Sequence, residues 1–330
     1  MRRRLLIGSA LLLPTLLVAL GIAAHLLLKS FEAPGPLADE RVVVVPRGSG
    51  LAAIAQKLEE AGVVSNALMF RLGVRIEGAA RTLKAGEYSF PAAVSMRGAM
   101  ELLQSGKTVI RRITFPEGLT SVELIALLNA ADGLSGAITE VPAEGALLPD
   151  TYHYSLDDPR AAILERMLVG RDEVLAALWP QRAEGLPIAT PEEALVLASI
   201  VEKETGVADE RPLVAGVFVN RLRKGMLLQS DPTVVYGITE GSGPLGRALT
   251  RQDLQTPSPY NTYAIKGLPP GPIANPGRAA LEAVLNPVET DYLYFVADGS
   301  GGHAFARTLD EHNRNVAKWR KLQRQRSQGD

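Results

Sequence analysis

Two carboxylates at the end of one apolar run are the residues of this chain best suited to chemistry: Glu202 and Glu204, in Ala198-Ser-Ile-Val-Glu-Lys-Glu-Thr-Gly206. Successive helical residues turn by about 100°, so the two side chains point about 200° apart and only one can face a given cleft. Counting by three and four puts Glu204 on the stripe of Leu197, Ile200 and Val201, and Glu202 with Ala198 and Ser199. A carboxyl held against apolar neighbours keeps its proton to higher pH, which is what a general acid requires. Glu204 is therefore the expected acid; a distorted helix end would exchange the roles and make Glu202 the acid. Taken alone, the segment also reads as a solvated helix end with two surface charges.

Beyond residue 225 the chain becomes loop-rich, and long loops inside a domain are more often functional than idle. Gln229-Ser-Asp-Pro-Thr233, Thr256-Pro-Ser-Pro-Tyr-Asn-Thr-Tyr263, Gly267-Leu-Pro-Pro-Gly-Pro-Ile-Ala-Asn-Pro276 and Gly301-Gly-His-Ala-Phe-Ala306 supply amides, hydroxyls and aromatic rings with little charge. Such groups suit a neutral polyhydroxylated ligand, a sugar. Gln229, Asp231, Tyr260, Asn261, Tyr263 and His303 are the candidates to contact it or to support the site. Each has a second reading, since asparagine and serine beside proline form turns, a tyrosine can cap a core, and Asp231 can cap the turn made with Pro232.

Other chemistries are excluded. There is no cysteine, and the four histidines, His25, His153, His303 and His312, form no His-Glu-x-x-His pair, so neither a metal site nor a cofactor is expected. Ser105-Gly-Lys-Thr108 resembles the end of a phosphate loop, but Glu101 stands where the first glycine is needed. With 35 basic and 36 acidic residues there is no electrostatic case for nucleic acid.

The elements that must position these residues follow from periodicity. The β-branched run Arg41 to Pro46 predicts a strand, Leu51 to Ala61 an amphipathic helix, Ser65-Asn66 the opening of a second helix through Val74, Lys84 to Phe90 a strand and Met96 to Gln104 a helix. A short strand at Arg111 to Phe115 precedes a helix over Ser121 to Ala130. Helical runs follow at Pro159 to Leu168, Arg171 to Trp179, Pro191 to Glu204 and Glu210 to Leu222, then a strand at Tyr292 to Ala297 and a polar helix from Thr308. The fold class expected is α+β.

At the N-terminus, three arginines precede an apolar stretch from Leu5 to Leu28, long enough for a bilayer span of about 20 residues. The reading is a short cytoplasmic tail (1–4), a single transmembrane helix (5–28) and a linker (29–40) rich in proline, with the remainder outside the inner membrane. A cleaved signal peptide would give the same exported location.

Leu147-Leu-Pro-Asp-Thr-Tyr-His-Tyr154, Ala198 to Thr205, Val219-Asn-Arg-Leu222, Leu228-Gln-Ser-Asp-Pro-Thr-Val-Val-Tyr-Gly237, Tyr260-Asn-Thr-Tyr263, Gly267-Leu-Pro-Pro-Gly271 and Tyr294-Phe-Val-Ala297 with Gly302-His303 resemble the endolytic murein transglycosylase family, also called YceG-like or MltG. The resemblance runs from the membrane anchor to about residue 320. It implies a small LysM-like peptidoglycan-binding module over 41–110 and a larger mixed α+β catalytic domain with a loop-rich cleft over 111–322, followed by a tail (323–330). It also implies lytic cleavage of the β-1,4 bond between N-acetylmuramic acid and N-acetylglucosamine within nascent glycan strands, leaving 1,6-anhydro ends, with Glu204 as the one acid/base. Peptidoglycan synthases are the implied partners, and a single-pass inner-membrane protein with its catalytic part in the periplasm is the implied location. A hydrolytic muramidase, using Asp231 or Glu202 as the second carboxylate, and a non-catalytic wall-binding anchor are the competing readings.

Overall fold

Strand β1 (Arg41–Val45) pairs antiparallel with β2 (Gly86–Phe90), Arg41 opposite Phe90 and Val45 opposite Gly86, and two helices fill the connection, α1 (Leu51–Glu60) and α2 (Ala67–Ile76). In the computed structural model, which describes residues 18, 21, 22 and 25–326, the chain divides into two units: Met1–Arg111 with His153–Asp157, and Arg112–Tyr152 with Asp158–Asp330.

The first unit is the expected β-α-α-β arrangement, completed by α3 (Met96–Ser105). Two side chains set its helix starts: Asn66 Oδ1 accepts from the Met69 N–H, and Ser95 Oγ accepts from the Gly98 N–H. Ile54 and Leu58 of α1, Phe70 and Val74 of α2, and Met100 and Leu103 of α3 close over the inward faces of β1 and β2. The stretch expected to be a free linker, 29–40, belongs to this core. Phe31 and Leu37 are buried in it, and the Phe31 ring lies so close to Gly73 that no larger residue fits there. A proline-rich composition limits helix and ladder but does not keep an aromatic side chain out of a core. Residues 25–32 are helical. Most of the expected span 5–28 lies outside the described residues, and among the described residues no helix is long and apolar enough to cross a membrane.

The second unit is mixed α+β. The sheets after β1–β2 are two-stranded as well: β3 (Arg111–Thr114) with β5 (Thr151–Tyr154), β4 (Leu134–Ser135) with β6 (Asp158–Pro159), and β7 (Tyr294–Ala297) with β8 (His303–Ala306). Its helices are α4 (Ser121–Ala130), α5 (Arg160–Leu178), α6 (Pro191–Glu204), α7 (Arg211–Arg223), α8 (Asp231–Thr239), α9 (Arg251–Gln255), α10 (Arg278–Leu285) and α11 (Leu309–Arg326). The two expected runs at 159–168 and 171–179 are one helix, α5, which continues through Gly170 with Ile163, Met167, Val174 and Leu175 buried on either side of it. Three stretches of the region expected to be loop beyond 225 are helical as well, α8, α9 and α10, and the C-terminal tail begins later than residue 323, since α11 continues to Arg326.

Helix α6 is the axis of this unit. Thr190 caps its start by accepting from the Glu193 N–H, and Pro191 occupies its first turn. Every residue from Ala194 to Val201 is buried, with α7 and α10 packed against it. A helix apolar all round belongs in a core, and each fully buried aliphatic side chain contributes about 1.5–3 kcal/mol. The C-terminal turn leaves this core, with Lys203 exposed after the buried Val201.

Candidate active site

The helix ends at Glu204, whose carboxylate lines a cleft of about 460 Å³ together with Arg221, Gln229, Asp231, Tyr263, Tyr294 and His303. Ser230 Oγ donates to Glu204 Oε1 at 2.5 Å. Burial pushes the Glu204 carboxyl up to about 7 and nearby Asp231 adds to the rise, while the Ser230 hydrogen bond, His303 and Arg221 oppose it. Among the described residues, no Lys, Arg or His nitrogen comes within ion-pair distance of it. At neutral pH both protonation states are populated, so the group can give a proton and take one back.

Glu202 is also largely removed from water, its side chain only 4% exposed, but its surroundings differ. Its Oε1 meets Arg211 at 3.4 Å, its Oε2 accepts from the Gly277 N–H at 2.9 Å, and Arg211 also reaches Glu117. It does not line the Glu204 cleft. The apolar stripe therefore does not separate the two glutamates as expected: Ala198 and Ser199, beside Glu202, are as buried as Leu197 and Ile200. Partners separate them.

The loops are placed by buried hydroxyls and amides. Thr262 joins two of them, its carbonyl accepting from the Gln229 N–H and its Oγ1 from the Ser230 N–H. Gln229 is held at φ 49°, a left-handed conformation rare for this residue type, and stays exposed in the cleft wall. Asp231 does not cap the turn. It is the first residue of α8, after Ser230, and its Oδ1 accepts from the Tyr263 hydroxyl at 2.6 Å. Burial and this acceptor both raise the Tyr263 pKa, so the phenol remains a donor.

Two expected contact residues do not reach the cleft. Asn261 is 1% exposed with its amide fully used, donating to the Leu254 and Thr256 carbonyls and accepting from the Tyr263 N–H. It fixes the loop that carries Tyr263. Tyr260 packs against the Tyr236 ring, centroids 4.8 Å apart, at the edge of the core. The Gly267 to Pro276 motif is likewise a fastening: the Ile273 N–H donates to Ser199 Oγ, and Asn275 bonds to Leu119, Ser121, Glu144 and Leu147.

His303 does face the cleft, carried by β8 rather than by a turn. Glu210 holds it twice, accepting from the backbone N–H at 2.8 Å and from Nδ1 at 2.7 Å, which leaves Nε2 as the free ring nitrogen. Sequence reasoning missed Ser230, Glu210, Arg221 and His312. Arg221 belongs to the Val219-Asn-Arg-Leu222 motif, and only that motif could have signalled it. Arg221 is 7% exposed, its guanidinium bonded to the Leu228 and Leu293 carbonyls and lying over the Tyr294 ring, while Asn220 binds the Thr290 and Tyr292 carbonyls. Burial lowers the Arg221 pKa from its usual value. His312 of α11 stacks on Tyr294 and lines the same cleft.

A carboxyl pushed up to about 7 in a polar cleft, on a mixed α+β scaffold, is the arrangement that general acid/base chemistry requires. The YceG-like family model matches residues 43–318, and the chain belongs to that family. An endolytic murein transglycosylase from Bacillus subtilis is 31% identical over 306 residues, covering 83% of this chain and 83% of that protein. One from Streptococcus pneumoniae is 30% identical over 325 residues, covering 84% of this chain and 58% of the pneumococcal protein, so this chain spans little more than half of that relative's length. The crystal structure of a yceG-like protein from Listeria monocytogenes is similar with a TM-score of 0.51 and 32% identity, over 84% of this chain and 99% of that one.

Proposed function

We propose that the protein is a peptidoglycan lytic transglycosylase that cuts glycan strands internally between N-acetylmuramic acid and N-acetylglucosamine, with Glu204 as its one acid/base. The observation that carries this reading is a carboxyl pushed up to about 7, bonded to a neutral hydroxyl and facing a polar cleft. Glu204 protonates the glycosidic oxygen as the bond to the muramic anomeric carbon breaks. The muramic C6 hydroxyl then attacks that carbon and gives its proton to the Glu204 carboxylate, closing a 1,6-anhydro ring and restoring the acid. An intramolecular nucleophile has a high effective concentration and outcompetes water. Asp231, Tyr263 and Gln229 line the path of the developing oxocarbenium charge, and the free Nε2 of His303 offers a hydrogen bond to the sugar.

In the same reading the segment 5–28 anchors the protein in the inner membrane, the β-α-α-β unit binds glycan as a LysM-like module, and the catalytic part works in the periplasm beside the synthases that make the strands. The relatives' printed activity and the charged run before the apolar segment support this. The test is to incubate the full-length chain in detergent with uncrosslinked glycan strands, beside Glu204→Gln, and to identify the product ends by mass spectrometry. Internal fragments with anhydro ends, absent in the variant, are expected. Reducing ends would make the protein a muramidase with Asp231 activating water, and intact strands retained by the protein would make it a wall-binding anchor.

A further inference from the structure

A second cavity, again of about 460 Å³, adjoins the Glu204 cleft. Asp231 lines both, and Lys203, the residue before Glu204 on α6, lines the second, so neighbouring residues of one helix turn serve the two openings. Their chemistry differs. The cleft is walled by amides, carboxylates and rings, whereas the second cavity is walled by Pro232, Val235, Pro244, Leu249 and Ile273 beside the Tyr236 ring. Its charged groups are also unequal. Glu123 is committed to the capping box of α4, accepting from the Thr120 N–H and hydroxyl, Arg247 is paired through two nitrogens with Asp253, and Asp231 accepts from Tyr263. Lys203 alone has no carboxylate within ion-pair distance among the described residues; it donates one hydrogen bond, to the Gly118 carbonyl, and two N–H groups remain.

A bare sugar ring offers little to aliphatic and proline side chains. A short peptide that carries alanyl methyl groups and free carboxylates matches both parts of the lining: methyl groups against Val235 and Leu249, and a carboxylate on Lys203. In peptidoglycan that group is the lactyl-linked stem peptide of muramic acid. We infer that this second cavity is a stem-peptide subsite beside the Glu204 cleft, making the protein selective for strands whose muramic acid carries its peptide; this rests on the peptidoglycan reading above.

The test uses the full-length chain in detergent. Strands with intact stems are compared with the same strands after an amidase has removed them, for wild type, Lys203→Met and Val235→Ser. Wild type is expected to cleave stem-bearing strands about tenfold more efficiently than stem-free strands, and both variants to lose most of that preference while keeping the stem-free rate. Binding of N-acetylmuramyl pentapeptide to Glu204→Gln is measured in parallel by calorimetry, with N-acetylmuramic acid as the peptide-free control, and adding Lys203→Met is expected to weaken only the pentapeptide, about tenfold. Equal rates on the two substrates, or an equal loss on both in Lys203→Met, would overturn the subsite. Absence of cleavage by wild type would defeat the proposed activity alone. In that case pentapeptide binding that depends on Lys203 sustains the subsite, and binding that does not overturns it.

Discussion

The two sides of the last turn of α6 hold carboxylates two residues apart, both largely removed from water, and treat them in opposite ways. On one side Glu202 meets a guanidinium and a backbone N–H in a closed network with Glu117. On the other, Glu204 meets one hydroxyl and an open cleft. Desolvation raises both. A buried charge with a cation beside it becomes a fastening, because removing either partner strands the other, whereas a buried carboxyl without one becomes a proton carrier. Burial alone identifies neither role.

The largest expected effect of breaking this contrast is on catalysis. Glu204→Gln is expected to lower the cleavage rate by about 10³ to 10⁴, measured as product formed per folded molecule, while the corresponding Glu202→Gln is expected to leave the rate per folded molecule within a few fold. Stability should respond on the other side. Arg211→Met strands the Glu202 and Glu117 carboxylates and is expected to cost about 3 kcal/mol in chemical denaturation, with little change in the rate of the folded fraction.

Stability also reports the Glu204 proton. Its folded pKa lies above its unfolded value, so between about pH 4.5 and 7 the folded state binds more protons and stability falls as pH rises. Glu204→Gln removes that penalty, and the variant is expected to be more stable than wild type by roughly 2 to 3 kcal/mol at pH 8 and equal to it near pH 4. The smallest effect sharpens the assignment of Ser230. Its hydrogen bond favours the ionised carboxylate, so Ser230→Ala is expected to raise the Glu204 pKa by about one unit, which moves the alkaline limb of the pH–rate profile upward by the same amount.

The sequence made the elements of the first unit legible because their signals are local: a β-branched run, Asn66 and Ser95 at helix starts, periodic apolar faces. The same holds for α6, with Thr190 and Pro191 at its start. Helix α8 was not legible, since Asp-Pro-Thr-Val-Val-Tyr-Gly-Ile-Thr is β-branched and glycine-bearing, and packing overrides its propensity. Glu204 was singled out from an apolar stripe, but the helix is buried all round from Ala194 to Val201, and what distinguishes Glu204 from Glu202 is partners brought from 26 residues away at Ser230 and 75 at Gly277. Such long-range pairings leave no periodic trace. The same reason hid Glu210, which meets His303 across 93 residues, and Thr262, which ties the two cleft loops. Asn261 and Tyr260 were legible as polar loop residues but not as internal ones, because an amide that fastens its own loop reads the same in sequence as one that faces a ligand.

The account turns on the proton of Glu204, and carboxyl-carbon NMR titration of the full-length chain in detergent, compared with Glu204→Gln, observes it directly. One side-chain carboxyl resonance titrating near pH 7, present in wild type and missing from the variant, is the result expected. If the missing resonance instead titrates at or below the ordinary carboxylate range, Glu204 is ionised at neutral pH and cannot be the acid.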